Sequence, residues 1–336
     1  MLKRIKKLFG SYTIKNLLAV PYRSYGTNLH LYVKGRVLDN HPLQVKETSF
    51  FRTLKFTYKQ FDTFEIPGLE VKLHLGDMNL TTVTDDDGYF LFDVTLQDDI
   101  RQYSDEEGWV QYEITTAVNS ITTHATGRLL IPEDEAEYGI ISDIDDTILQ
   151  TGVTSFLKWR LLKNSLFTNA YKRIPLKGAP EFYKKLHLGK SGKNKNPVFY
   201  ISNSPWNLYE YLKLFLDHNK FPKGPVLLRK FSSLFQQATA DEKPHKQKEI
   251  TNILKTYPQL KFILIGDSGE HDASIYTEIA AQYPDRILCI YLKSVKHKRR
   301  MKSVQGITDN FTITPVLLAA TSGDAEHHAK SIGLIQ

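Results

Sequence analysis

Three carboxylates and a threonine follow a short apolar run near the middle of the chain. Residues 139–141 have the pattern of a buried strand end, and Asp143, Asp145, Asp146 and Thr147 come directly after it. Like charges a few ångströms apart oppose each other's ionisation, so this spacing indicates a bound cation or a transferred anion. In one common arrangement the first aspartate attacks phosphorus and the carboxylate two residues later transfers the proton. A solvated acidic turn is the alternative interpretation of this stretch taken alone.

A second apolar run, residues 198–201, ends in hydroxyl and amide side chains. Ser202 and Asn203 come directly after it, and a hydroxyl with free backbone N–H groups before a helix can hold a phosphate. The same residues also predict a plain helix cap, with Ser204 as the N-cap and Pro205 at the first helical position. The two interpretations are compatible.

A third apolar run, residues 262–265, is again followed by carboxylates. Gly266 permits a close approach, and Asp267 and Asp272 follow. Just before this run, Lys246 stands near the start of a predicted helix, from which a lysine can reach a phosphate as a point charge. Lysines at such positions are usually surface residues, so the lysine alone is a poor signal.

The order of the predicted elements separates two domains. From residue 28 to 132, short alternating strands and turn residues are typical of a β-sandwich, with one transthyretin-like turn at residues 84–90. After a polar boundary near Pro132, continuous apolar strands alternate with helices, which predicts an α/β domain with a parallel sheet over residues 136–336. A basic segment, residues 1–27, precedes both domains. Ligands of parallel sheets sit beyond the carboxyl ends of the strands, where the polar residues above are expected.

Composition and charge constrain the partners. The net charge is +7, and residues 151–197 contain eleven basic side chains against one acidic side chain. This asymmetry favours an anionic substrate or an anionic membrane surface, although a solvated face explains any single run. The single cysteine, Cys289, leaves no disulfide partner and no thiolate metal site. No window approaches the ~20 apolar residues that span a bilayer, so we expect a cytoplasmic protein that can associate peripherally with membranes.

Taken together, the motifs resemble those of the haloacid dehalogenase-like phosphohydrolases. The resemblance rests on four motifs in the family's order: Asp143-x-Asp145-x-Thr147, Ser202, a lysine near 246, and Gly266-Asp267-x-x-x-x-Asp272. More narrowly, the chain from about residue 138 to 335 looks like the catalytic-domain family of the fungal actin-patch-associated phosphatidate phosphatase. The resemblance implies a Rossmann-like parallel sheet with a minimal cap, preceded here by the small all-β sandwich.

The family pattern assigns roles to the aspartates and to a magnesium ion. It implies that Asp143 is the nucleophile of an aspartyl-phosphate mechanism and that Asp145 is the general acid and base. Thr147 would orient the loop. The resemblance implies Mg²⁺ as cofactor, held by Asp143, the backbone carbonyl of Asp145, Asp267 and, directly or through water, Asp272.

The remaining predicted site residues bind the phosphoryl group. The resemblance gives Ser202, the Asn203 amide and Lys246 this role, and Lys248 is the alternative to Lys246. Arg229, at the end of the strand 226–228, is a further candidate, and a surface arginine is an equally good interpretation of it.

The substrate that the family implies is phosphatidate. A basic amphipathic helix expected at residues 155–167 would lie on an anionic membrane or pack on the sheet. A nucleic acid is not expected as a partner. Two other functions stay open: a phosphatase for a soluble or nucleic-acid phosphomonoester, and a non-catalytic adaptor that binds lipid or a protein partner.

Overall fold

The computed structural model describes most of the chain, which forms two compact units, residues 1–131 and 132–336. The described residues are 14, 16–39, 64–145, 147–148, 175–230, 243–268, 271–294 and 298–336, the last range without the side chains of residues 298–303. The helix expected at residues 155–167 and most of the basic segment 1–27 lie outside them. In the part of the chain that is described, no helix is both long enough and apolar enough to cross a bilayer.

The described part of the first unit consists of β-strands and one short 3₁₀ helix, Arg101–Tyr103. Its strands are β1 (Leu17–Pro21), β2 (Ser24–Thr27), β3 (His30–Asp39), β4 (Phe64–Glu65), β5 (Glu70–Leu75), β6 (Met78–Val83), β7 (Tyr89–Thr95), β8 (Trp109–Val118) and β9 (Ile121–Leu130). Hydrogen bonds link these strands into one sheet of nine strands. The inward-facing side chains of β3, β5, β7, β8 and β9 form one apolar core.

Two turns of this unit share one chemistry. Asp85 accepts hydrogen bonds from the backbone N–H groups of Asp87 and Tyr89, at 3.0 and 2.9 Å, and Gly88 takes the left-handed conformation that closes the turn. Asp105 and Gly108 repeat this arrangement before β8. The carboxylate of Asp85 therefore stabilises a turn by accepting backbone hydrogen bonds.

The second unit contains a parallel sheet between helices. Its strands are β10 (Tyr138–Asp143), β11 (Val198–Pro205), β12 (Val226–Arg229), β13 (Lys261–Asp267), β14 (Ile287–Lys293) and β15 (Val316–Ala319). Its helices are α1 (Ala179–Leu188), α2 (Tyr209–His218), α3 (His245–Thr256), α4 (Asp272–Gln282), α5 (Lys298–Asp309) and α6 (Ser322–Ser331). The expected α/β class and parallel sheet are confirmed, and β15 is a strand that the sequence pattern did not predict.

The strand order of this sheet reverses direction near its middle. The order is β12-β11-β10-β13-β14-β15, so successive connections run one way from β10 to β12 and the other way from β13 to β15. Ligands of such sheets bind beyond the carboxyl ends of the strands where the order reverses. In this sheet the reversal lies between β10 and β13.

Alternating aromatic side chains on β11 show that helices cover both faces of the sheet. The Tyr200 ring stacks on Tyr183 of α1, with ring centroids 6.5 Å apart. The next residue back, Phe199, points to the other face and packs against Tyr257, just after α3, at 5.7 Å. Successive strand residues face opposite sides, so α1 and α3 lie on opposite faces.

The helix cap predicted at Ser204 and Pro205 is wrong. Both residues belong to β11, and a short 3₁₀ helix begins at Trp206 before α2. In this strand the Ser204 hydroxyl donates to Asp145, and Pro205 pairs with Arg229 of β12.

Candidate active site

The candidate site begins at the end of β10, which is buried at every position. Ser142 and Asp143 point to opposite faces of the sheet, as successive strand residues must. The Ser142 hydroxyl is 2.6 Å from the phenol oxygen of Tyr183, on the α1 face. The Asp143 carboxylate, 1% exposed, points to the α3 face, where the remaining charged residues gather.

Lys246 supplies a buried positive charge. It lies in the first turn of α3 and is 1% exposed. Its Nζ atom is 2.8 Å from Oδ1 of Asp143 and 2.6 Å from Oδ1 of Asp272. Lys248, two residues later, is exposed. Lys246 is therefore the lysine that the fold places among the carboxylates.

Asp267 and Asp272 belong to one loop between β13 and α4. Asp267 is the last residue of β13 and Asp272 is the first residue of α4, where the partial positive charge of a helix N-terminus favours a carboxylate. Oδ2 of Asp272 lies 3.3 Å from the backbone nitrogen of Asp267, which donates to it. Gly266 permits this approach because a Cβ atom there would lie 2.5 Å from Oδ2 of Asp272.

Three buried carboxylates consequently form one cluster. Oxygen atoms of Asp143, Asp267 and Asp272 lie within 4.8 Å of one another. Three carboxylates against the single ammonium of Lys246 leave an excess of two negative charges in this cluster. Mg²⁺ is a hard cation that prefers oxygen ligands and few carboxylates, so the donor set and its charge fit this ion.

Asp145 is held apart from that cluster by serines. Its Oδ2 atom accepts hydrogen bonds from the hydroxyls of Ser202, at 2.5 Å, and Ser204, at 3.1 Å. The Ser202 hydroxyl also accepts from the Ser204 backbone nitrogen at 2.8 Å. The carboxylate of Asp145 is thus positioned by β11, and among the described residues the three-carboxylate cluster does not include it.

Ser204 is a site residue that the sequence analysis missed. Ser202 and Ser204 are both buried and lie two residues apart on β11, so both side chains point to the same face. The signal was present in the spacing of the two serines. It was overlooked because the proline at 205 indicated a helix start.

The other predicted residues lie around this core. The Thr147 hydroxyl donates to Oδ2 of Asp143 at 3.2 Å, so Thr147 and Lys246 contact different oxygens of the same carboxylate. Asn203 is exposed between the two buried serines. Arg229 is the last residue of β12, which is separated from β10 by β11. Its register partner on β11 is Pro205.

Two buried tyrosines border the charged cluster from opposite faces of the sheet. Burial raises the pKa of Tyr183 above its usual value, and the negative charge of Asp143 adds to this shift. Burial likewise raises the pKa of Tyr276, with a further contribution from Asp272. Both phenols therefore stay protonated, and that of Tyr276 donates to the backbone carbonyl of Ile265 at 3.1 Å.

Comparison with known proteins shows similarity within the second unit. Residues 138–294 match the family model described as phosphatidate phosphatase APP1, catalytic domain. The matched segment runs from the first residue of β10 to just beyond β14. It therefore includes the three-carboxylate cluster, Lys246 and the serines of β11.

Two curated proteins are similar to part of the chain. Phosphatidate phosphatase APP1 of Saccharomyces cerevisiae is 41% identical over 156 residues, which are 46% of this chain and 25% of the yeast protein. An uncharacterized protein of Schizosaccharomyces pombe is 30% identical over 164 residues, which are 48% of this chain and 26% of that protein. The matches thus span about a quarter of the length of either relative.

Among solved structures, a carbohydrate acetylesterase from Xanthomonas citri aligns over 92% of this chain and 72% of its own. The identity is 8% and the TM-score is 0.32, which is too low to indicate a shared fold.

Proposed function

We propose that this chain is a Mg²⁺-dependent phosphomonoesterase of the haloacid dehalogenase-like class. The observation that carries the proposal is the buried cluster of Asp143, Lys246, Asp267 and Asp272. It lies at the strand-order reversal and inside the segment that matches the catalytic domain of phosphatidate phosphatase APP1. The strand order supports the proposal because doubly wound sheets bind their ligands at this position.

Asp143 is the proposed nucleophile. Thr147 and Lys246 contact its two carboxylate oxygens, which fixes the orientation of the group. One carboxylate oxygen forms a bond to phosphorus while the bond from phosphorus to the ester oxygen breaks, which gives an aspartyl-phosphate. Lys246 is close enough to stabilise the negative charge of the phosphoryl oxygens during this step.

Asp145 is the proposed acid and base. Its protonated form would give a proton to the departing alcohol oxygen. Its ionised form would then take a proton from the water that attacks phosphorus, which releases phosphate and restores Asp143. The two aspartates need different protonation states at one pH, and their surroundings differ accordingly: Asp143 contacts an ammonium group, whereas Asp145 contacts two serine hydroxyls.

A magnesium ion fits the remaining donors. Asp143, Asp267 and Asp272 would hold it, together with the backbone carbonyl of Asp145, and their excess negative charge suits a divalent cation. When bound, Mg²⁺ supplies positive charge that lowers the cost of bringing a phosphate dianion beside these carboxylates. Ser202, the Asn203 amide and Lys246 would bind the phosphoryl oxygens, with Arg229 as a further candidate on β12.

Phosphatidate is the substrate we propose, because the matched family model and the yeast relative both carry the name of a phosphatidate phosphatase. The net charge of +7 is compatible with an anionic lipid surface, so we propose peripheral association with membranes as part of this function.

A phosphate-release assay with Mg²⁺ tests the proposal. Phosphatidate in vesicles, lysophosphatidate and glycerol phosphate are supplied in parallel to the full chain. We expect the two lipids to be hydrolysed in preference to glycerol phosphate. Preferential hydrolysis of glycerol phosphate would favour a phosphatase for soluble esters, and failure to hydrolyse any ester would favour a non-catalytic adaptor.

A further inference from the structure

A mainly apolar cavity opens beside the candidate site, on the α1 and α6 face of the sheet. Its volume is about 290 Å³, and it lies at the carboxyl ends of β13, β14 and β15. Six apolar side chains line it, from the strands, from both helices and from the segment just before α1: Leu176, Ala179, Phe182, Ile265, Ala319 and Ala325. A volume near the lower limit of small-molecule sites suits a single slender group.

Two residues connect the cavity to the charged cluster. Thr147 lines the cavity and also donates its hydroxyl hydrogen to Asp143. Gly266 lines it too, immediately before Asp267. A molecule whose phosphoryl group contacts Asp143 could therefore extend into the cavity past Thr147.

The residues that line the cavity indicate which kind of ligand it would bind. The apolar walls bind a hydrocarbon chain by removing it from water. The lining also includes two lysines, Lys177 and Lys293, whose positive charge suits a substrate that carries an esterified phosphate. An occupant that is anionic at one end and apolar along its length matches both features.

We infer that this cavity binds the hydrocarbon chain of the substrate whose phosphoryl group is transferred at Asp143. The inference rests on the proposed phosphomonoesterase function and deepens it, because it makes the hydrocarbon chain of the substrate a determinant of specificity. A long chain would fill the cavity with its first part and leave the rest outside.

Binding of alkylphosphonates tests the inference without any turnover. Methyl-, butyl- and octylphosphonate share a phosphate-like head that is not hydrolysed, and calorimetry in the presence of Mg²⁺ measures their affinities for the full chain. Each fully buried methylene strengthens binding by about fourfold. With about half of its seven additional methylenes fully buried, we expect octylphosphonate to bind on the order of a hundredfold more tightly than methylphosphonate.

Filling the cavity should remove the dependence on chain length. Ala320 is exposed and lines the cavity, and Ala325 is buried in its wall on α6. In Ala320→Phe and in Ala325→Leu, we expect the ratio of octyl to methyl affinities to fall by about tenfold or more. The exposed Ala281 on α4 supplies the control, since Ala281→Leu should keep the wild-type ratio. If Ala325→Leu impairs folding because Ala325 is buried, the exposed substitution Ala320→Phe still tests the inference.

The outcomes separate this inference from the proposed function. Equal affinity for all three phosphonates would refute the cavity assignment and leave the phosphomonoesterase proposal intact. A ratio of octyl to methyl affinities that stays unchanged in both cavity variants would also refute it, because the alkyl chain would then bind elsewhere. Failure to bind any phosphonate, together with failure to hydrolyse any phosphate ester, would contradict the proposed function itself.

Discussion

The Nζ atom of Lys246 lies 2.8 Å from Oδ1 of Asp143, and both side chains are buried. The same nitrogen lies 2.6 Å from Asp272, so one lysine joins the first strand of the parallel sheet to the start of α4. This arrangement balances part of the charge of a carboxylate cluster that water cannot screen. It also places a cation where a transferred phosphoryl group would carry negative charge.

Removal of this cation should destabilise the fold. Lys246→Met leaves Asp143 and Asp272 buried without their ammonium partner, which costs about 3–5 kcal/mol for a buried ion pair broken on one side. Lys248→Met is the matched control because Lys248 is exposed on the same helix, and it should change stability by less than about 0.5 kcal/mol. Urea denaturation in the absence of Mg²⁺ measures both. Equal stability of the two variants would show that Lys246 does not compensate these charges.

Magnesium should stabilise the wild type through the three-carboxylate cluster. At a Mg²⁺ concentration one hundred times its Kd, the expected gain is about 2.7 kcal/mol. Asp267→Asn should lose this gain, and without Mg²⁺ it should be at least as stable as the wild type because one repulsive charge is removed. Thermal unfolding with EDTA and with Mg²⁺ measures these changes.

The control for the magnesium experiment is Asp285→Asn. Asp285 is exposed and has a φ of 66°, a conformation that asparagine also tolerates. This variant should keep the full response to Mg²⁺. A response that persists in Asp267→Asn would place the ion elsewhere.

The glycine before Asp267 should not accept a side chain. A Cβ atom at Gly266 would lie 2.5 Å from Oδ2 of Asp272 and 2.7 Å from the ring of Tyr276. We expect Gly266→Ala to cost about 1–3 kcal/mol of stability and to weaken Mg²⁺ binding as Asp272 is displaced. Gly306→Ala on α5 should be neutral or stabilising, because among the described residues no atom beyond the neighbouring residues and the helix backbone lies within 4 Å of the added Cβ. Chemical denaturation measures the stability of both variants, and Mg²⁺ titration measures their affinity for the ion.

The single cysteine should report unfolding of the second unit. Burial in β14 raises the pKa of Cys289 from 9.0 to about 12, so the native thiol keeps its proton where the unfolded thiol loses it. We expect iodoacetamide to label the native protein very slowly at pH 8 and to label one thiol per chain in denaturant.

The same pKa shift fixes the direction of a pH effect. The contribution of Cys289 to stability is complete below the unfolded pKa of 9.0 and is lost as the pH rises towards 12. Urea denaturation across this range should show the decline. Rapid labelling of the folded protein at pH 8 would contradict the burial of this thiol.

The sequence predicted the strand ends well because the strands are continuous apolar runs. The runs before Asp143, Ser202 and Asp267 are buried on both faces, so their pattern is unambiguous and their carboxyl ends are easily located. Four motifs in the order of one family then indicated which residues would meet.

The burial of the first turn of α3 could not be predicted from the apolar pattern, for a physical reason. The sequence placed Lys246 near the start of a helix, and the helix begins at His245. Its first turn buries Lys246 and Gln247, which satisfy their polar groups through Asp143 and Glu278, and apolar periodicity does not reveal buried polar residues. Ser204 was misassigned for a similar reason, because its hydrogen-bond partner, Asp145, is distant in the sequence.

The most direct test of the account is phosphate release by Asp143→Asn. Asparagine preserves the size of the side chain but cannot form the aspartyl-phosphate, so release from phosphatidate with Mg²⁺ should fall at least about 10⁴-fold below the wild-type rate. Circular dichroism should show an unchanged fold, and Asp285→Asn should keep wild-type activity. A folded Asp143→Asn variant that releases phosphate at the wild-type rate would contradict the account.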